Sequence, residues 1–153
     1  MDPSASITFD DSLWPLLVVR FVGAPTNQQH AAYLAQLRAY LQHGERYVSI
    51  MDSRQLRLVS SEQRVRQAEF IKENEGLLKQ VTLGTAGIVT SPLVRLAASV
   101  FLHLKPMPTP YYIAPSLPMA AGWAAERLEQ AGLSMSAERV RRHHGLLTER
   151  RVG

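Results

Sequence analysis

The sequence predicts a single α/β domain in the order β-β-α-β-α-β-α-β-α, with a mostly parallel central sheet, one antiparallel edge strand and flanking helices. Three observations point there. Short apolar runs rich in β-branched residues alternate with longer segments whose apolar residues recur at helical spacing, the pattern of strands joined by right-handed crossover helices. The longer segments open on capping residues, and two of them close on glycine. With 153 residues, 46% hydrophobic and 20% charged, the chain can build one real core and hardly two. The expected organisation is a domain over residues 1–134 and a basic extension over 135–153.

Each element has a local warrant. Ile7, Thr8 and Phe9 alternate before Asp10-Asp11-Ser12, so residues 6–9 read as a short edge strand hairpinned to 16–22, whose run LLVVRFV marks an interior strand. Thr26 and Gln29 form a capping box, Tyr33, Leu34, Leu37 and Leu41 recur at helical spacing, and Gly44 is a natural stop; a first helix over 27–43 follows. Residues 47–51 form a third strand ending at Asp52, followed by an arginine-rich loop. Ser60 and Gln63 open a second helix running through Val65, Ala68, Ile71 and Leu78. Residues 82–90 form a fourth strand. Ser91-Pro92 starts a third helix to about Leu104, since serine caps well and proline suits the first helical position. The prolines at 106, 108 and 110 force a stiff turn into a fifth strand, 111–114. Ser116 introduces a fourth helix through Trp123 and Leu128, closed by Gly132.

The formal charge of +4 is concentrated at one end. Residues 135–153 hold five arginines against Glu138 and Glu149, a net +3, which leaves +1 for the rest. A nucleic-acid face would interleave aromatic rings with its cations; this segment has only His143 and His144. No specific nucleic acid is expected, and the segment reads as a solvated extension that at most makes weak contact with an anionic surface. Zero cysteines exclude disulfide scaffolds, thiolate metal sites and cysteine nucleophiles. The apolar stretch Leu93–Leu104 is broken by Arg95, Ser99 and His103 and is shorter than the about 20 residues a membrane span needs. The start, MDPSASITFDD, has no basic n-region followed by an apolar run, so the expected location is cytoplasmic.

Enzyme signatures are missing from the sequence. It contains no G-x-S-x-G, G-x-x-x-x-G-K-[ST], G-x-G-x-x-G or H-E-x-x-H. His30 and His43 lie at opposite ends of the first predicted helix and His103 on the third, so no two of these histidines are set at ligand spacing. The expectation is therefore no catalytic residue, no metal and no cofactor. Asp52 is the one carboxylate at the carboxyl end of a predicted parallel strand, where α/β proteins place ligands. Arg54, Arg57, Arg64 and Arg66 surround the start of the second helix and make a candidate anion site there; the plainer alternative pairs them with Glu62, Glu69 and Glu73 on a solvated face.

The third helix carries another candidate. At about 100° per residue, Arg95, Ser99 and His103 share one side, with Leu96 and Leu102 flanking them. Leu93, Ala97, Phe101 and Leu104 gather opposite, toward the expected core. Arg95, Leu96, Ser99, Leu102 and His103 thus form a candidate interaction face for a protein partner or a second copy, because lone domains rarely leave contiguous apolar patches in water.

The stretch Asp52-Ser53-Arg54-Gln55-Leu56-Arg57-Leu58-Val59-Ser60-Ser61-Glu62-Gln63, within this order of elements over roughly residues 6–132, resembles the STAS fold of anti-sigma-factor antagonists and its SpoIIAA-like branch, sometimes labelled STAS/SEC14. Members of that family carry a strand ending in Asp-Leu-Ser, a short loop, and Asp-Ser-Ser-Gly at the start of a helix, where a serine is phosphorylated by a partner kinase. Asp52, Leu56, Leu58 and Val59 fit. Ser60 stands where the family has aspartate, Ser61 matches the first serine, Glu62 occupies the phosphorylated position and Gln63 replaces the glycine. The resemblance implies a phospho-switch or helix-cap region at Asp52, Ser53, Ser60, Ser61 and Glu62, with any phosphate on Ser61. It also implies a bacterial, non-catalytic regulatory module acting by protein interaction. The alternative it leaves is a carrier or sensor of a small apolar or anionic ligand held between the second and third helices.

Overall fold

The computed structural model describes residues 2–146, the side chain of Phe101 excepted. Its elements are β1 (Ser6–Leu13), β2 (Leu16–Gly23), α1 (Asn27–His43), β3 (Tyr47–Leu56), α2 (Ser61–Glu73), α3 (Glu75–Val81), β4 (Thr82–Ile88), α4 (Pro92–Leu104), β5 (Tyr111–Ala114), α5 (Leu117–Gln130) and α6 (Ser134–His143). They form one five-stranded sheet in the order β1-β2-β3-β4-β5. β1 runs antiparallel to β2, and every later pair is parallel.

Because the parallel strands follow one another in sequence order, crossovers of one hand place α1, α2, α3 and α4 on the same face of the sheet. The period-two alternation of the strands serves both faces. Leu17, Val19 and Tyr47 pack with Tyr33, Leu37 and Leu41 of α1 and with Phe70 of α2. Leu16, Val18, Val48 and Ile50 turn the other way, to Ala121, Ala124, Ala125 and Leu128 of α5. Strands covered on both faces read as unbroken apolar runs, which is why 16–22 was recognisable. The capping box of α1 is present, with Gln29 N donating to Thr26 Oγ1 at 3.0 Å and Thr26 N to Gln29 Oε1 at 2.9 Å. Gly44 ends α1 at φ +83°, a conformation glycine adopts without a Cβ penalty.

Three expectations are corrected. β3 does not stop at Asp52 but runs to Leu56, because β2 also extends and pairs Val22 with Gln55 and Gly23 with Leu56. The expected second helix is two helices. Asn74, buried at the break, donates from Nδ2 to Phe70 O at 2.8 Å, a side-chain bond that competes with helix propagation. Finally, Ser134–His143 is a docked helix rather than a solvated extension: Ala137 and Val140 have no accessible surface and join the α5 core, with Leu133 and Leu146 packed against it. Residues 147–153 lie outside the described residues.

Candidate functional site

On the face covered by the crossover helices, α1 and α2 pack on each other while α4 packs mainly on β5. A cavity of about 530 Å³ opens between them. The sequence of β4 creates it. Its residues facing this side include Thr85 and Gly87, so the sheet floor lacks bulk where α4 crosses. Ala98 is the α4 residue above, again too small to fill the gap. Leu102 and Met107 close one side, and Phe70, Ile71 and Leu78 the other, so most of the lining is carbon.

The polar groups of the cavity are few and connected. Nε2 of His30 lies 3.1 Å from Gln67 Oε1, and Gln67 Nε2 donates to the Tyr33 hydroxyl at 3.3 Å. With the amide so oriented, His30 donates from Nε2. His30 and Tyr33 are both buried. Burial pushes the Tyr33 phenol well above its ordinary pKa, opposed in part by the Gln67 bond and reinforced by Tyr111. Tyr111, on β5, is raised by burial as well, and its hydroxyl lies against Gly87, where an added Cβ would meet it at 3.1 Å. Arg64 is the cation at the cavity's edge, donating to Val59 O at 2.8 Å and Ser61 Oγ at 3.3 Å.

The residues singled out from sequence are distributed over three places. Asp52 sits on the opposite face of the sheet, in register between Arg20 of β2 and Ile88 of β4. It is 3% exposed and held by two guanidiniums: Arg54 Nε to Oδ1 at 2.9 Å and Nη2 to Oδ2 at 2.7 Å, with Arg20 Nε to Oδ2 at 3.3 Å. Burial alone would raise its pKa, but the Arg54 hydrogen bonds and charge, aided by Arg20, carry it below the ordinary value. Ser53, one residue on, lines the cavity. Ser60 caps α2, accepting from Gln63 N at 3.1 Å; Ser61 begins that helix and Glu62 pairs with Arg66 at 3.6 Å. Of the four arginines near this helix start, Arg54 is thus committed to Asp52 and Arg66 to Glu62, Arg64 lines the cavity, and Arg57 donates its backbone N–H to Gly23 O at 2.8 Å.

The orientation of α4 differs from the helical-wheel expectation. Arg95 folds back onto the loop before the helix, and Leu102 turns inward. Arg95 Nη1 bonds the carbonyls of Val89 at 3.0 Å and Thr90 at 2.9 Å, while Leu102 lines the cavity. Leu96, Ser99 and His103 are exposed, and so are Leu93 at 76% and Leu104 at 73%, both expected inside. α4 meets the sheet chiefly at β5, and the side it turns to the cavity carries Ala98 and Leu102. Phe101, grouped with Leu93 and Leu104, lies outside the described side chains.

Sequence reasoning did not find His30, Tyr33, Gln67 or Tyr111 as a group, since they come from three elements distant in the chain. A signal was present in the bare GTAG at the centre of β4, where no large side chain stands. Among the described residues no three His, Cys, Asp or Glu side chains gather to hold a metal, and no helix is long and apolar enough to cross a membrane.

The sheet order, the antiparallel edge hairpin and the helix placement match a SpoIIAA-like α/β fold. The chain is similar to the solved structure of an uncharacterized protein from the DUF3478 family with a SpoIIAA-like fold from Shewanella loihica, with a TM-score of 0.63 at 16% identity, covering 81% of this chain and 98% of that one. No family model matches the chain, and no curated protein matches it.

Proposed function

We propose that the chain is a non-catalytic regulatory module that takes up a small apolar molecule between α2 and α4, as a carrier or sensor. The supporting observation is the cavity of about 530 Å³, within the range of roughly 300–1,000 Å³ common to small-molecule sites. Its carbon lining rewards burial of apolar ligand surface at ~25 cal/mol per Å². Native mass spectrometry of the protein purified from its own cells should show an added organic mass that is lost on denaturation. In vitro, Nile red should bind the wild type and bind Ala98→Phe at least roughly tenfold more weakly, because the ring projects from α4 into the cavity and takes up space the dye needs. Absence of any added mass together with equal dye binding by the two proteins would refute the reading.

A second reading is favoured by a separate observation. Leu93, Val94, Leu96, Val100 and Leu104 are all exposed on α4, a contiguous apolar margin suited to a second copy of the chain through a two-fold contact. Leu96→Glu with Val100→Glu should then halve the mass in light scattering with an unchanged fold. A wild type that is monomeric at high concentration sinks it.

A further inference from the structure

Two phenol hydroxyls line the cavity, and no side chain among the described residues accepts a proton from either. Tyr33 is 4% exposed; its oxygen accepts from Gln67, and among the described residues no acceptor takes its proton. Tyr111 forms no side-chain hydrogen bond among the described residues, although its hydroxyl is held against the sheet where Gly87 has no side chain. The two phenols line the same cavity and are near enough for Tyr111 to raise the pKa of Tyr33. A buried donor is almost always paired; Tyr33 is the buried one of the two, and Tyr111 is half-buried with its hydroxyl facing the cavity. Leu37, Ile71, Leu102 and Ile113 make much of the wall apolar, and Ser53, Gln63, Thr85 and Thr109 are its other uncharged polar side chains.

Charge narrows the partner further. Among the described residues the only formally charged one lining the cavity is Arg64; it is exposed and already bonded to Val59 O and Ser61 Oγ. An ionised carboxylate carried inward would lose its hydration without gaining a cation. An uncharged oxygen would exchange the water donors on its two lone pairs for the two hydroxyls, with no charge to desolvate. Resting on the ligand-binding reading above, we infer that the cavity selects an apolar molecule bearing a neutral carbonyl or ether oxygen, which accepts hydrogen bonds from the Tyr33 and Tyr111 hydroxyls. His30 and Gln67 act behind Tyr33, fixing its ring so that its proton points into the cavity rather than toward α2.

Displacement of Nile red by nonane, methyl octanoate and octanoic acid at neutral pH, with the wild type, Tyr33→Phe, Tyr111→Phe and the double variant, tests this. Each phenylalanine keeps the ring and removes one donor. Methyl octanoate should lose roughly threefold in each single variant and roughly tenfold in the double, the worth of one and two neutral hydrogen bonds, while nonane changes less than about twofold in all. Octanoic acid should displace more weakly than its methyl ester. If the double variant does not fold by circular dichroism, the single variants decide the question alone. Equal losses for ester and nonane, or no loss for either, overturn the role of the hydroxyls while leaving the cavity reading intact. Tightest binding by octanoic acid, abolished in Arg64→Ala, overturns the neutral-oxygen assignment in favour of a charged head group. Failure of all three compounds to displace the dye, or of the dye to bind, overturns this inference and the reading beneath it together.

Discussion

Val140→Ala removes two methyl groups from a side chain with no accessible surface, held by α6 against the alanine-rich face of α5. Alanines at 121, 124 and 125 bring the helices close, so the neighbours cannot collapse far into the space left. At about 0.8 kcal/mol per buried methylene, plus a term for the residual cavity, the loss is about 1.5–3 kcal/mol. For a chain of this length each kcal/mol moves the midpoint by about 2–4 °C, which gives a fall in Tm of about 3–12 °C. Thermal unfolding followed by circular dichroism measures it, and urea unfolding with an unchanged slope confirms that the native state and not the unfolded chain is affected. Met135→Ala, one turn earlier and 86% exposed, is the control and should stay within about 0.5 kcal/mol of wild type. Truncation after Leu133 should cost more than Val140→Ala, since it also uncovers Leu128. If Val140→Ala and the truncation are both as stable as the Met135 control, α6 is not docked and the argument from its buried face fails.

Three other outcomes follow from the same geometry. Gly84→Ala puts a Cβ 2.6 Å from Cη2 of Trp123, an overpacking that should destabilise by about 1–3 kcal/mol in urea unfolding; a neutral result would mean that the indole moves freely. Asp52→Asn tests the paired carboxylate. Its folded pKa is depressed, so its contribution is present above the unfolded value of about 3.9 and lost as pH falls through the folded value. The variant should therefore be less stable at neutral pH by about 1–2 kcal/mol, discounted for the partly exposed arginines, and its Tm should fall less steeply below about pH 4; parallel Tm curves would show that the pair contributes nothing. Leu102→Glu should cost about 2 kcal/mol or more, as an unpaired charge turned into an apolar cavity, whereas Leu96→Glu should cost less than about 0.5 kcal/mol; the reverse order would restore the helical-wheel orientation of α4.

Local chemistry in the sequence was sufficient for most of the elements and for their order. Runs such as LLVVRFV, the Thr26 capping box and Ser91-Pro92 act through neighbours a few residues away, and α1 and α4 begin and end where those signals stand. From that order the mostly parallel sheet with its antiparallel edge follows. What the local pattern could not settle was which apolar residues find a partner surface. α6 has few large side chains, yet it is buried because α5 presents alanines that admit a close helix. α4 has many, yet leaves Leu93 and Leu104 in water, because the side it turns toward β5 and the cavity is the one bearing Ala98 and Leu102. The length of β3 depended on where β2 stops, and the break at Asn74 on a single side-chain bond to Phe70 O. The cavity belongs wholly to this second class. Its hydroxyls come from α1 and β5, its floor from β4 and its roof from α4, and only tertiary packing brings an absence of bulk on one element opposite an absence of bulk on another.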